Sequence, residues 1–129
     1  MKFAFIIDPI HRLDPTHDTS VAIMEAAQEL GHEVWITQAN RLSVIDGKAW
    51  AMLEQVHLTP VKLVDDRWVT IESWFSLDAP IFRPLEEMDA VFMRTDPPVD
   101  TAYLYATYIL DYIDPAKTRV LNSPSGIRA

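Results

Sequence analysis

Cysteine is absent from the 129 residues. That excludes disulfides, a thiolate nucleophile and any cysteine-held metal. Glycine is scarce, with three residues at positions 31, 47 and 126. They form no Gly-x-Gly-x-x-Gly and no Gly-Lys-Ser/Thr loop, so the chain carries no recognisable cradle for ATP phosphates. His11, His17, His32 and His57 lack the spacing of a metal-binding helix, and ordinary surface or loop roles are expected for them. Basic residues are outnumbered, 11 Lys and Arg against 19 Asp and Glu, for a net charge of −8. A nucleic-acid surface needs clustered Lys and Arg against the phosphates, so that class is excluded. No apolar run approaches the roughly 20 residues that span a bilayer. Met1-Lys-Phe-Ala-Phe-Ile-Ile-Asp8 is too short and turns acidic too soon for a signal peptide. A cytoplasmic domain is expected. No nucleophile elbow or Ser/His/Asp order stands out.

What remains is an ordinary globular composition, 49% apolar, of a length that suits one domain with a real core. The most informative stretch is Asp89-Ala-Val-Phe-Met-Arg-Thr-Asp-Pro-Pro-Val-Asp100. Ala90 to Met93 is an unbroken apolar run, the pattern of a parallel strand buried on both faces. Pro97 and Pro98 cannot continue such a strand, because neither has a backbone donor. Arg94 and Asp96 therefore fall at the carboxyl end of a strand, the edge where open α/β sheets bind ligands. Asp100 is placed to cap the helix that follows.

Phe3 to Ile7 is a second buried-strand run, with Asp8 at its carboxyl end. His11 to His17 reads as a loop. Asp18 or Thr19 caps a helix, whose stripe is Ile23, Ala26, Ala27 and Leu30. Gly31 ends it, and Glu33 to Thr37 is the next strand, completing a right-handed βαβ unit. Asp46-Gly47 between Leu42–Ile45 and Lys48 onward is a strong hairpin signal. Asp65-Asp-Arg67 between Val61–Val64 and Trp68–Ile71 is a weaker one. Together they predict a β-hairpin excursion over about residues 41–72. Ser73 to Glu87, with Pro80 and Pro84, reads as a loop in which Trp74-Phe75 plugs the core. Thr101 to Ile113 is helical, with Ala102, Ala106, Ile109, Leu110 and Ile113 inward, and Arg119 to Leu121 is a short strand. The fold class expected is α/β, a Rossmann-like parallel sheet flanked by helices, with the hairpin excursion in its middle.

The candidate site residues sit at the strand ends. Arg94 offers a rigid bidentate fork for a carboxylate, or an internal ion pair with Asp96 or Asp8. Asp8 suits a substrate ammonium, or a turn that satisfies backbone donors. Asp96 suits the loop backbone or Arg94. Asn122 and Ser123 follow the last strand and suit either ligand or turn. His17, Asp18, Thr19 and Ser20 lie where a helix amino terminus favours anions, although capping alone accounts for Asp18 or Thr19. Tyr103, Tyr105, Tyr108 and Tyr112 at helical spacing suit packing or a subunit face.

Four segments carry a family resemblance. Arg94-Thr-Asp-Pro-Pro-Val-Asp100 and Tyr105-Ala-Thr-Tyr-Ile-Leu110 resemble the amino-terminal domain of bacterial glutathione synthetase. Ile7-Asp-Pro-Ile10 and Val120-Leu-Asn-Ser-Pro124 match the same family in the same order. The resemblance implies a Rossmann-like, pre-ATP-grasp unit over residues 1–121, with 122–129 starting the linker into an ATP-grasp domain. It implies a ligase that joins γ-glutamylcysteine to glycine through an acyl phosphate. ATP and Mg2+ would belong to the ATP-grasp body, with no cofactor in this domain. Arg94, Asp8, Asp96, Asn122 and Ser123 would then line a peptide-substrate wall, in a homo-oligomer. By itself the domain would do no chemistry. A free-standing binding or regulatory module is the alternative. A phosphoacceptor receiver domain fits Phe5-Ile-Ile-Asp8 but needs an aspartate where Arg94 stands.

Overall fold

Strand β1 (Lys2–Ile6) is the middle of the sheet. Its Ala4, Phe5 and Ile6 are fully buried. Consecutive side chains of a strand point to opposite faces, so both of its faces are covered. The computed structural model describes residues 1–59, 62–64, 67–69, 74–95 and 101–121. Among them β1 pairs in parallel with β2 (Glu33–Thr37) on one side and with β9 (Ala90–Met93) on the other. The short β10 (Arg119–Leu121) adds to β9, also in parallel. The registers align Phe5 with Ile36 and with Phe92. Phe5 and Phe92 stack with centroids 4.5 Å apart.

Helix α1 (Thr19–Glu29) joins β1 to β2. Val21, Met24 and Ala27 from it pack with Phe5, Ile7, Val34 and Ile36 in one cluster. Helix α2 (Thr101–Leu110) joins β9 to β10. Its Tyr103, Ala106 and Leu110 pack with Ala4, Ile6, Val91 and Met93 in the other cluster. The two helices thus pack into separate core clusters. The stripe on α1 is rotated from the expected one. Leu30 is 75% exposed at the helix end, and Met24 takes the buried place between Val21 and Ala27. Gly31 has φ +88 and closes α1 with the paired bonds Gly31 N to Gln28 O and His32 N to Ala27 O. Past Leu110 the chain tightens into i→i−3 bonds up to Ile113, which stays buried.

The middle of the chain makes the sheet mixed rather than wholly parallel. The turn is as expected: Asp46 and Gly47 both have positive φ, which a two-residue type I′ hairpin requires. It joins β3 (Leu42–Ile45) to β4 (Lys48–Leu58), and β4 also pairs antiparallel with β2. The hairpin is therefore part of the main sheet, which is mixed. Ala49, Ala51 and Leu53 of β4 enter the α2-side cluster, whereas Val56 and Leu58 enter the α1-side cluster. One long strand buries first one face and then the other. A second short hairpin pairs β5 (Lys62–Val64) with β6 (Arg67–Val69) in a separate two-stranded sheet. Residues 75–84, expected as loop, hold β7 (Phe75–Leu77) and β8 (Ile81–Pro84), both antiparallel to β4. Trp74 is buried beside Phe75, as expected. No helix of the described residues is long and apolar enough to cross a membrane.

One side chain ties α1 to the end of β4. The Gln28 amide donates to Leu58 O and accepts from Leu58 N, each at 2.7 Å. It completes the ladder as another strand would. Leaving a buried backbone donor and acceptor unmet costs about 1–3 kcal/mol. Gln28→Ala is expected to lower the unfolding free energy by about that amount, read as a lower denaturant midpoint at unchanged slope. An unmoved midpoint would contradict this role.

Candidate functional site

The parallel register continues one step past the strands. Ile7 N donates to Thr37 O at 3.1 Å, and Arg94 N donates to Ile6 O at 2.8 Å. The carboxyl ends of β1, β2 and β9 are thereby level. From β1 the chain runs to β2 on one side, and it returns to β9 on the other side. Connections diverge at such a reversal of strand order and leave a crevice beyond the carboxyl ends.

Arg94 is the first residue past β9, half-buried, on the α1 side of the edge. Its Nε donates to Ser20 Oγ at 3.0 Å, 74 residues away in sequence. Ser20 is 7% exposed. Its backbone is held in turn by Asp18, the α1 cap, whose carboxylate accepts from Ser20 N at 2.8 Å and Val21 N at 3.2 Å. Of the two cap candidates Asp18 takes the role, and Thr19 begins the helix with its side chain exposed.

Asp8 lies elsewhere on the edge. With Pro9, Arg12, Gln38, Asn40 and Thr95 it lines an open cleft of about 370 Å³. A smaller adjoining cleft of about 220 Å³ shares Ile7, Asp8 and Gln38 and adds His11 and the Arg41–Glu54 pair. That pair is closed at 2.8 Å. Arg94 is not among the residues lining either cleft. Asp96, Asn122 and Ser123 lie outside the described residues, as do Pro97, Pro98 and Asp100.

The comparisons with known proteins decide the family. Residues 1–128 match the family model described as prokaryotic glutathione synthetase, N-terminal domain. The chain belongs to that family. It is 70% identical over 128 residues to a glutathione synthetase of Nostoc sp., a match that covers 99% of this chain and 40% of the relative. Identity is 57% to that of Thermosynechococcus vestitus and 56% to that of Synechocystis sp., with the same coverage of both chains. The chain thus spans about 40% of the length of these curated relatives.

Among the described residues no three His, Asp or Glu side chains converge to hold a metal, and no glycine-rich loop is present for phosphates. The carboxyl edge holds an open cleft. Its cleft joins an anion, a cation, two side-chain amides and a hydroxyl. Gln38, Asn40 and Thr95 were not picked out from sequence. The signal was available, since Thr37-Gln-Ala-Asn-Arg41 leaves β2 as Ile7-Asp8 leaves β1.

The loop that borders the cleft is braced by Asp14. Its Oδ1 accepts from Thr16 Oγ1 at 2.6 Å and Thr16 N at 2.9 Å. The Thr16 hydroxyl first, and then its backbone amide, hold the fully exposed Asp14 carboxyl below the usual range. A folded pKa below the unfolded one contributes stability above the unfolded pKa, and that contribution fades as pH falls through the folded one. An NMR titration of the Asp14 carboxyl is expected to give a lowered midpoint, moved back upward in Thr16→Val. Equal midpoints in the two proteins would contradict the assignment.

Proposed function

We propose that this chain forms the peptide-substrate side of a glutathione synthetase-like, ATP-dependent carbon–nitrogen ligase that joins γ-glutamylcysteine to glycine. On this reading the parallel strands with α1 and α2 are a Rossmann-like unit of a cytoplasmic enzyme. ATP and Mg2+ are bound by an ATP-grasp body outside these residues, and the domain alone carries out no turnover. Asp8 and Arg94 face that body across the carboxyl edge with Gln38, Asn40 and Thr95, and Asp96, Asn122 and Ser123 are assigned to the same peptide-substrate site. The outer face of α2, where Tyr105, Tyr108 and Tyr112 are exposed, serves a homo-oligomer contact.

The observation that carries the reading is Arg94. In a chain whose residues 1–128 match the family, it is the first residue past β9, with its backbone amide held by Ile6 O. γ-Glutamylcysteine has two carboxylates and one ammonium. A guanidinium meets a carboxylate through two parallel hydrogen bonds, and Asp8 offers the complementary charge for the ammonium. Neither role needs a phosphate cradle, so the composition of the edge agrees with a peptide rather than a nucleotide.

The test is Arg94→Ala in the full-length ligase. A lost charge-assisted contact is worth about 1.5–3 kcal/mol, so the KM for γ-glutamylcysteine is expected to rise by about tenfold or more. The KM for ATP is expected to hold within about twofold, which is less than 0.5 kcal/mol. An unchanged dipeptide KM and kcat would overturn the substrate role.

A further inference from the structure

The bond from Arg94 Nε to Ser20 Oγ has a consequence for how that arginine can hold a ligand. A guanidinium presents its five N–H groups as a rigid planar fork. A carboxylate can meet it side-on, through Nε and one terminal nitrogen, or end-on, through the two terminal nitrogens. Here Nε is committed to a hydroxyl oxygen at 3.0 Å. Side-on binding would break that bond.

We propose that Ser20 is a positioning residue: it holds Arg94 so that the guanidinium takes a substrate carboxylate end-on, through its two terminal nitrogens. The inference rests on the substrate role given to Arg94 above and adds the residue that aims it. Three observations support it. Ser20 is buried, so its hydroxyl does not swing freely in water. Its backbone is fixed by the Asp18 carboxylate at the first turn of α1, so the hydroxyl stands at a set place. The third is electrostatic. A cation beside a helix amino terminus faces the positive end of the helix dipole, which is unfavourable unless negative charge is near. Asp18 offsets part of that cost, but its Oδ1 accepts from the Ser20 and Val21 backbone amides. An incoming carboxylate on the terminal nitrogens lowers the remaining repulsion, so the arrangement favours the bound state over the free one.

The experiment measures the KM for γ-glutamylcysteine and kcat in the full-length ligase. Ser20→Ala is expected to raise KM by about tenfold, the low end for loss of one hydrogen bond to a charged group, with kcat within about twofold. Ser20→Thr keeps the hydroxyl and is expected to restore KM. In an Arg94→Ala background Ser20→Ala is expected to add nothing, because the group it aims is gone. If Ser20→Ala fails to fold, Ser20→Cys preserves the volume while weakening the acceptor, and the same rise is expected. An unchanged KM in the serine variants, or an equal rise with and without Arg94, would overturn the positioning role. An Arg94→Ala protein with normal KM would overturn the substrate reading itself. The two failures are distinguishable, because Arg94→Ala can raise KM while Ser20→Ala leaves it unmoved.

Discussion

A strand buried on both faces carries no charge until it leaves the sheet, because an unpaired charge in an apolar interior is prohibitively costly. β1 is under that constraint along Ala4, Phe5 and Ile6, and β9 along Ala90, Val91 and Met93. Their first charged residues past the core, Asp8 and Arg94, are therefore pushed to the same carboxyl edge. The parallel register makes the ends level. The apolar side chains of these strands are buried in two core clusters, one with α1 and one with α2. The polar edge is thus a by-product of the core, and evolution needs only to choose which polar residues stand there.

Much of this was legible in the chain, for a physical reason. Continuous apolar runs ended by Asp8-Pro9 and by Arg94-Thr95 mark parallel strands and their exits without reference to anything distant. Asp46-Gly47 fixes a turn through backbone conformation alone, and Gly31 closes α1 through its positive φ. What escaped is non-local. β7 and β8 are short, their side chains are largely exposed, and Pro80 precedes β8 while Pro84 ends it. They are strands because β4 offers them an edge, which no window of local sequence contains. The place of β4 inside the sheet depends likewise on β2. Met24 in place of Leu30 on the buried stripe of α1 reflects how the helix settles on the sheet, not its own periodicity.

The candidate site divides the same way. The position of Arg94 could be read from a strand and two prolines. Its partner Ser20 could not, because the contact closes over 74 residues. Asp18 and Ser20 were visible only as helix-start residues, and the cap role of Asp18 is confirmed while Ser20 gains a second partner. Asp8 and Arg94 share an edge yet serve different parts of it, one lining the cleft with Thr95 and the other braced against α1. A substrate with separated charges suits such a divided wall better than one compact anion does.

The central claim is that this edge is a peptide-substrate wall. The most direct test is to titrate γ-glutamylcysteine, without nucleotide, into isotope-labelled protein and map the amide shifts. The account expects the perturbations to gather at Asp8, Ser20, Gln38, Arg94 and Thr95 and to saturate together. Shifts gathered on the outer face of α2, or none at millimolar dipeptide, would contradict it.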